Sequence, residues 1–286
     1  MPTEISSISS IRGDVGEGPL WNSSTGLITW VDITGLMWHQ TEFKTGNTKS
    51  RKVSNMVGAL VERTNGEFFA AVKEGFAEMN PDEGYAVVNN FLPAPERMND
   101  AKADDGGRWW CGSNAIDFTK GAGKLHVIDE NRKVETKLTG LTLPNGLAWN
   151  RDNTEFYLVD TFESCLWAFD IDFASGELSN KRKLIQFADD GSFPDGMTIS
   201  NEGFLIIAMW DGARLEIYDT DGKKQSEISM PVKKPTSCTF GGDKNDILFV
   251  TSACREIDYG PNSMDGQLLA VTGTGLSGTE SRKYRG

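Results

Sequence analysis

Residues 144–170, PNGLAWNRDNTEFYLVDTFESCLWAFD, contain the pattern that decides the fold. A polar residue and a glycine precede a short apolar stretch. A polar turn follows, and then two further runs that are rich in β-branched and aromatic residues. Short runs of this composition, separated by turn residues, are typical of antiparallel strands. The stretch therefore predicts three consecutive strands of one sheet.

The same pattern begins six times along the chain, at Glu17, Gly58, Asn99, Asn145, Asp195 and Ser237. Successive starts lie 41, 41, 46, 50 and 42 residues apart. An all-β repeat of roughly 40–50 residues has the length of a four-stranded propeller blade. We therefore predict an all-β fold, a six-bladed β-propeller that forms a single domain over residues 1–286. Residues 4–11 are expected to add a strand that closes the ring and leaves no open edge.

Composition excludes several classes of function. The 286 residues carry 29 Lys+Arg against 41 Asp+Glu, a formal net charge of −12, which argues against nucleic-acid binding. The longest apolar run, residues 204–210, is far shorter than the roughly 20 residues of a membrane-spanning helix. The first residues lack the basic and apolar regions of a secretory signal. We expect a cytoplasmic protein with no nucleic-acid or membrane partner.

The residues at the six repeat starts predict a metal site. In a propeller the innermost strands line a central channel, so equivalent positions face one another across the axis. Two of the six residues are carboxylates and two are carboxamides, and with only two histidines in the chain the available ligands are oxygens. Such donors suit Ca²⁺ or Mg²⁺. An Asn before a Gly is also a common turn former, but four polar residues at six equivalent positions favour a central metal-binding channel.

Five ordered motifs resemble the SMP-30/gluconolactonase/regucalcin family of six-bladed propeller lactonases. They are GEGPLW (16–21) with TWVDI (29–33), RMND (97–100) with DGGRWW (105–110), PNGLAW (144–149), PDGM (194–197) and TSCTFGG (236–242). The motifs span nearly the whole chain. The resemblance implies a hydrolase that opens a lactone, with a sugar lactone such as gluconolactone as the expected small-molecule substrate.

The resemblance also implies roles for individual residues. By it, Glu17, Asn145 and Asp195 bind one divalent cation, expected to be Ca²⁺, with Zn²⁺, Mg²⁺ or Mn²⁺ as alternatives. Arg97 and Asn99 contact the lactone. Family members that act on sugar lactones often use a glutamate on a lid loop, and the corresponding segment here, residues 113–120, has none. Asp117 is the expected substitute in substrate binding.

Several alternatives stay open at this point. Asp195 is the predicted general base for the attacking water, unless a hydroxide held by the cation attacks and Asp195 only positions it. A phosphotriesterase-like hydrolase could use the same polarising cation, while a non-catalytic Ca²⁺-binding regulator or a protein-binding scaffold would need no turnover. Four aromatic residues near the ends of inner strands either make the pocket more apolar than a sugar site or pack between blades: Phe118, Phe162, Phe193 and Trp210.

Overall fold

The computed structural model describes residues 2–80, 82 and 84–286, and β-strands dominate it. The strands, in chain order, are β1 (Glu4–Ser7), β2 (Gly16–Asn22), β3 (Leu27–Asp32), β4 (Met37–Glu42), β5 (Thr48–Lys52), β6 (Val57–Glu62), β7 (Phe68–Val72), β8 (Gly75–Asn80), β9 (Gly84–Asn90), β10 (Glu96–Ala103), β11 (Trp109–Ala115), β12 (Gly123–Ile128), β13 (Val134–Leu141), β14 (Pro144–Trp149), β15 (Glu155–Asp160), β16 (Cys165–Asp172), β17 (Glu177–Gln186), β18 (Phe193–Ile199), β19 (Leu205–Trp210), β20 (Arg214–Tyr218), β21 (Lys224–Ser229), β22 (Lys234–Gly241), β23 (Ile247–Ala253) and β24 (Leu269–Thr272). A turn of 3₁₀ helix, Thr161–Glu163, lies between β15 and β16. None of the described residues belongs to a helix long and apolar enough to cross a membrane.

The strands form six four-stranded antiparallel sheets, which are the blades of the predicted propeller. Blades 1 to 5 each use four consecutive strands, from β2–β5 to β18–β21. Blade 6 has the order β1-β24-β23-β22, and its outermost strand β1 pairs antiparallel with β24. This interlock confirms the predicted ring closure by the first strand. A single domain over residues 1–286 stays a prediction, which the interlock supports.

The first strand of each blade, and β22 in blade 6, lies next to the central axis. Each inner strand contacts the next one around the ring, in the order β2, β6, β10, β14, β18 and β22, and β22 contacts β2 again. Apolar side chains fill the wedges between blades. Between blades 3 and 4, for example, the Trp110 ring lies 5.8 Å from Trp149 and 5.2 Å from Phe156, and all three side chains are buried. This packing fixes the positions of the inner strands.

The segment after β24 runs back across one end of the ring. The Tyr284 N–H donates to the Glu62 carbonyl of blade 2 at 3.0 Å, and the Arg285 N–H donates to the Gly107 carbonyl of blade 3 at 3.1 Å. Residues 279–282 line a small cavity of about 60 Å³ at this end of the channel. The segment therefore ties blade 6 to blades 2 and 3 and covers that end of the channel.

Tyr284 is the anchor of this segment. Its side chain is fully buried, its ring lies 5.2 Å from Phe69 and 6.5 Å from Trp109, and its hydroxyl donates to the Asp129 carbonyl at 2.6 Å. We expect Tyr284→Ala to lower the free energy of unfolding in urea by about 3–5 kcal/mol, because it opens a cavity between two blades. Tyr284→Phe should cost only about 1 kcal/mol, the net value of one hydrogen bond. Equal losses would show that the ring does not anchor the segment.

Candidate active site

A β-bulge interrupts each inner strand at the repeat-start residue. The pairing register shifts between Glu17 and Leu20 in β2 and between Met98 and Ala101 in β10, and it shifts at the equivalent points of β6, β14, β18 and β22. A bulge adds a residue to one strand and redirects its side chain. The bulges therefore explain how side chains of a continuous strand can point into the channel at one level.

A cavity of about 430 Å³ opens at the end of the channel opposite the covering segment. Five of the six predicted site residues line it: Glu17, Arg97, Asn99, Asn145 and Asp195. They come from four different blades. The structure thus brings together residues that lie up to 178 positions apart, as the interval from 17 to 195 shows.

Asn145 is held with its carbonyl oxygen unused. Its Nδ2 donates to Asp195 Oδ1 and, at 3.1 Å, to the hydroxyl of Thr161. Both amide hydrogens are therefore committed, while the buried Oδ1 has no hydrogen-bond partner. A buried acceptor without a partner is costly, and a bound cation would satisfy it. Thr161 was not predicted as a site residue.

Two buried carboxylates, Glu17 and Asp195, face the same space. Burial raises the pKa of both well above the usual range for a carboxyl group. The charge of the neighbouring Asp100 raises both pKa values further, and Asp195 has the same effect on Glu17. The Gly18 N–H, which donates to Glu17 Oε2 at 3.0 Å, and the charge of Arg97 oppose these effects only in part. A divalent cation would offset the uncompensated negative charge.

These residues fit the predicted cation. In the part of the chain that the structure describes, no group of three or more His, Cys, Asp or Glu side chains could hold a metal ion. A cation bound by Glu17 and Asp195 would therefore need another type of ligand, and the unpaired Oδ1 of Asn145 supplies it. Two carboxylates and an amide oxygen form a donor set that hard divalent cations prefer.

Arg97 adds a positive charge to the wall of the cavity. Its Nη1 donates to the Met98 carbonyl at 2.9 Å and to Asn99 Oδ1 at 2.8 Å, while Asn99 Nδ2 donates to the Pro144 carbonyl at 3.0 Å. Burial lowers the pKa of Arg97 to about 10, and the charges of the nearby carboxylates act in the opposite direction. The guanidinium is therefore protonated at neutral pH and held in place by Asn99.

Asp117 lies outside the cavity. Its carboxylate is exposed, and Oδ1 accepts hydrogen bonds from the Thr119 N–H at 3.0 Å and the Thr119 hydroxyl at 2.8 Å. The residues on either side, Ile116 and Phe118, line the cavity instead. Asp117 thus stabilises its own turn and is not brought together with the other five residues, and its role in substrate binding stays a prediction.

Two carboxylates without a predicted role accept hydrogen bonds from the backbone just before two of the inner strands. Asp32 accepts a hydrogen bond from the Val15 N–H at 3.0 Å, and Asp160 accepts one from the Leu143 N–H at 2.9 Å. Each donor lies two residues before a predicted metal ligand. The sequence could have indicated this backbone contact, because a Val-Asp pair ends the second strand of blade 1 and of blade 4.

Comparisons with known proteins identify the family to which the chain is similar. Residues 15–254 match the family model described as the SMP-30/Gluconolactonase/LRE-like region. Regucalcin from Danio rerio is 31% identical over 283 residues, which cover 96% of both chains. A pentonolactonase from Haloferax volcanii is 30% identical over 239 residues, 84% of this chain and 81% of its own. A solved luciferin-regenerating enzyme superposes with a TM-score of 0.92 at 27% identity, over 99% of this chain and 100% of that chain.

The raised pKa values predict how cation binding depends on pH. In the cation-free protein, Glu17 and Asp195 contribute stability at low pH that is lost as the pH rises through their folded-state pKa values. A cation requires both groups ionised, so protons compete with it. We expect Ca²⁺, compared with chelator, to raise Tm more at about pH 8 than at about pH 5.5.

The control is Asp195→Asn, which removes one of the two ionisable ligands. In this variant the Ca²⁺-dependent rise in Tm should be smaller at both pH values, and it should change less between them. An equal rise in the wild-type protein at both pH values would contradict the proposed competition.

Proposed function

The chain belongs to the SMP-30/gluconolactonase/LRE-like family, and on this basis we propose that it is a metal-dependent hydrolase that opens the ring of a lactone. The observation that carries the proposal is the placement of a partly buried guanidinium, two buried carboxylates and an unpaired amide oxygen around one cavity. The relative named pentonolactonase supports this assignment. Among lactones, the sequence resemblance favours a sugar lactone such as gluconolactone.

One divalent cation would be held by Glu17, Asn145 and Asp195. Ca²⁺ is the expected ion, and Mg²⁺, Mn²⁺ and Zn²⁺ also accept oxygen ligands of this kind. When bound, the cation supplies Lewis-acid polarisation of the lactone carbonyl. Thr161 contributes indirectly, because its hydroxyl accepts a hydrogen bond from the amide of Asn145 and keeps the carbonyl oxygen turned to the cavity.

The protein's own residues carry out the remaining steps. Arg97 orients the lactone and stabilises the negative charge that develops on its carbonyl oxygen. Asp195 accepts a proton from the attacking water as the water oxygen bonds to the carbonyl carbon. The bond from that carbon to the ring oxygen then breaks, and the ring oxygen takes up a proton to give a hydroxy acid. Asn99 positions Arg97 through its hydrogen bond to Nη1.

The cavity favours an enzyme over a non-catalytic Ca²⁺ regulator. A regulator needs the three proposed ligands but neither an adjoining space of about 430 Å³ nor a partly buried cationic side chain on its wall. A phosphotriesterase-like activity would use the same groups, since a cation polarises P=O as well as C=O. Assays with lactones and a phosphotriester distinguish the two hydrolase activities.

Substitutions should separate cation binding from turnover. We expect Asp195→Ala and Asn145→Ala to lose Ca²⁺ binding in calorimetry and to lower kcat/KM by roughly 10³-fold, because both the base and the ligand set are damaged. Arg97→Ala should retain cation binding and lower kcat/KM by about 10²-fold, as expected for one missing charged donor. Rates come from a pH-stat assay on sugar and aryl-substituted lactones and one phosphotriester, with and without chelator.

Asp117→Asn is the matched control. It changes a carboxylate whose neighbours in the chain line the cavity but which does not line the cavity itself. We therefore expect kcat/KM to stay within about twofold of the wild-type value. A large loss in Asp117→Asn would instead support its predicted role in substrate binding. Loss of cation binding in Arg97→Ala would contradict the division of roles, and turnover of the phosphotriester alone would replace lactone hydrolysis by that activity.

A further inference from the structure

Four aromatic side chains form a continuous surface on one side of the cavity. The Phe118 and Phe162 rings lie 5.2 Å apart at 64°, and the Phe162 and Phe193 rings lie 5.9 Å apart at 69°. Phe193 is paired directly with Trp210 across β18 and β19. All four line the same cavity as Arg97. We call these four residues the aromatic wall.

The aromatic wall is not part of the packing between blades. None of its members belongs to the buried apolar clusters that the described residues form between the sheets. Phe118 and Phe162 are 42% and 45% exposed. Exposed apolar surface of this size, next to polar groups, marks a binding site more often than a structural contact. Of the two interpretations of these residues, an apolar pocket is therefore favoured.

The backbone at Phe118 supports a functional position. Its φ angle is +58°, in the left-handed region that bulky side chains rarely adopt. Such strain is retained mainly where a side chain must be presented in a particular direction.

The part of this side that Phe118 and Phe162 form is mainly apolar. Ile116 and Leu143 line it as well, and the nearby polar residue is Thr161, whose hydroxyl accepts a hydrogen bond from the Asn145 amide. Charged lining residues lie at the Trp210 end of the wall, where Lys234 Nζ is 4.8 Å from the centre of the Trp210 ring and Asp211 follows Trp210 in the chain. A sugar lactone that placed its hydroxyl groups against the wall would exchange hydrogen bonds with water for apolar contacts, which is unfavourable.

The cavity also has room beyond a lactone ring. Its volume of about 430 Å³ falls within the roughly 300–1,000 Å³ of pockets that hold drug-sized ligands. We propose that the lactone opened by this protein carries an apolar substituent the size of an aromatic ring, which packs against the aromatic wall while the carbonyl lies at Arg97. This inference rests on the proposed lactone hydrolysis, and it replaces the sugar lactone expected from the sequence.

The test compares two lactones with the same six-membered ring, glucono-δ-lactone and a phenyl-substituted δ-valerolactone, in a pH-stat assay with saturating Ca²⁺. The wild-type protein should show a kcat/KM at least about tenfold higher for the phenyl compound. Phe118→Ser/Phe162→Ser should lower that value roughly tenfold and leave the value for glucono-δ-lactone within about twofold, since only the phenyl group contacts the wall. Phe162→Leu, which stays apolar, should retain most of the activity.

Phe91→Ser is the matched control, because Phe91 is 37% exposed but packs against Phe76 in blade 2, away from the cavity. It should change neither rate. A preference for glucono-δ-lactone, or equal losses for both lactones in the double serine variant, would overturn the inference and leave lactone hydrolysis intact.

A binding measurement separates the two proposals if neither lactone is hydrolysed. In that case lactone hydrolysis fails, and calorimetry with a δ-lactam that carries the same phenyl group decides the inference. Binding that the double serine variant weakens roughly tenfold would support the aromatic wall as the site for an apolar group. Absence of binding to the wild-type protein would overturn it.

Discussion

The close approach of the six inner strands around the axis is the constraint on which the site depends. A Cβ atom at Gly146 would lie 2.6 Å from the Met197 nitrogen, and one at Gly58 would lie 2.6 Å from the Asn99 carbonyl oxygen. These positions therefore require glycine, because the neighbouring backbone occupies the space of a side chain. The close contact, together with the bulges, brings residues of four repeats to one cavity and places Asn145 and Asp195, 50 residues apart in the chain, within hydrogen-bond distance.

This arrangement places like charges together in a region of low dielectric. The propeller can hold them because its stability comes from the apolar wedges between blades, such as the packing of Trp110 on Phe156, rather than from the channel. The polar groups of the channel are then free to be arranged for binding, at a cost in stability that a cation would reduce. Site and core thus use different residues of the same sheets.

What the sequence could predict follows from periodicity. The repeat fixes which residues occupy equivalent positions, so the convergence of Glu17, Asn145 and Asp195, and the closing strand, could be predicted. Loops do not share the repeat, and the structure of the turn at Asp117 depends on a local hydrogen bond to its neighbour Thr119 that spacing does not reveal. The aromatic wall likewise joins loops and strand ends of three blades. The sequence could therefore identify its residues, but it could not decide whether they line a pocket or pack between blades.

Blade 6 combines the first strand of the chain with three of the last, and this has a consequence for biosynthesis. While the polypeptide emerges from the ribosome, blades 1 to 5 can assemble in order, but β1 has no partner until β24 has been made. Throughout that period an unpaired edge is available to other nascent chains, which is a hazard that chaperones guard against. Slowed translation of the final strands would therefore be expected to reduce the yield of folded protein more than slowed translation of the middle blades.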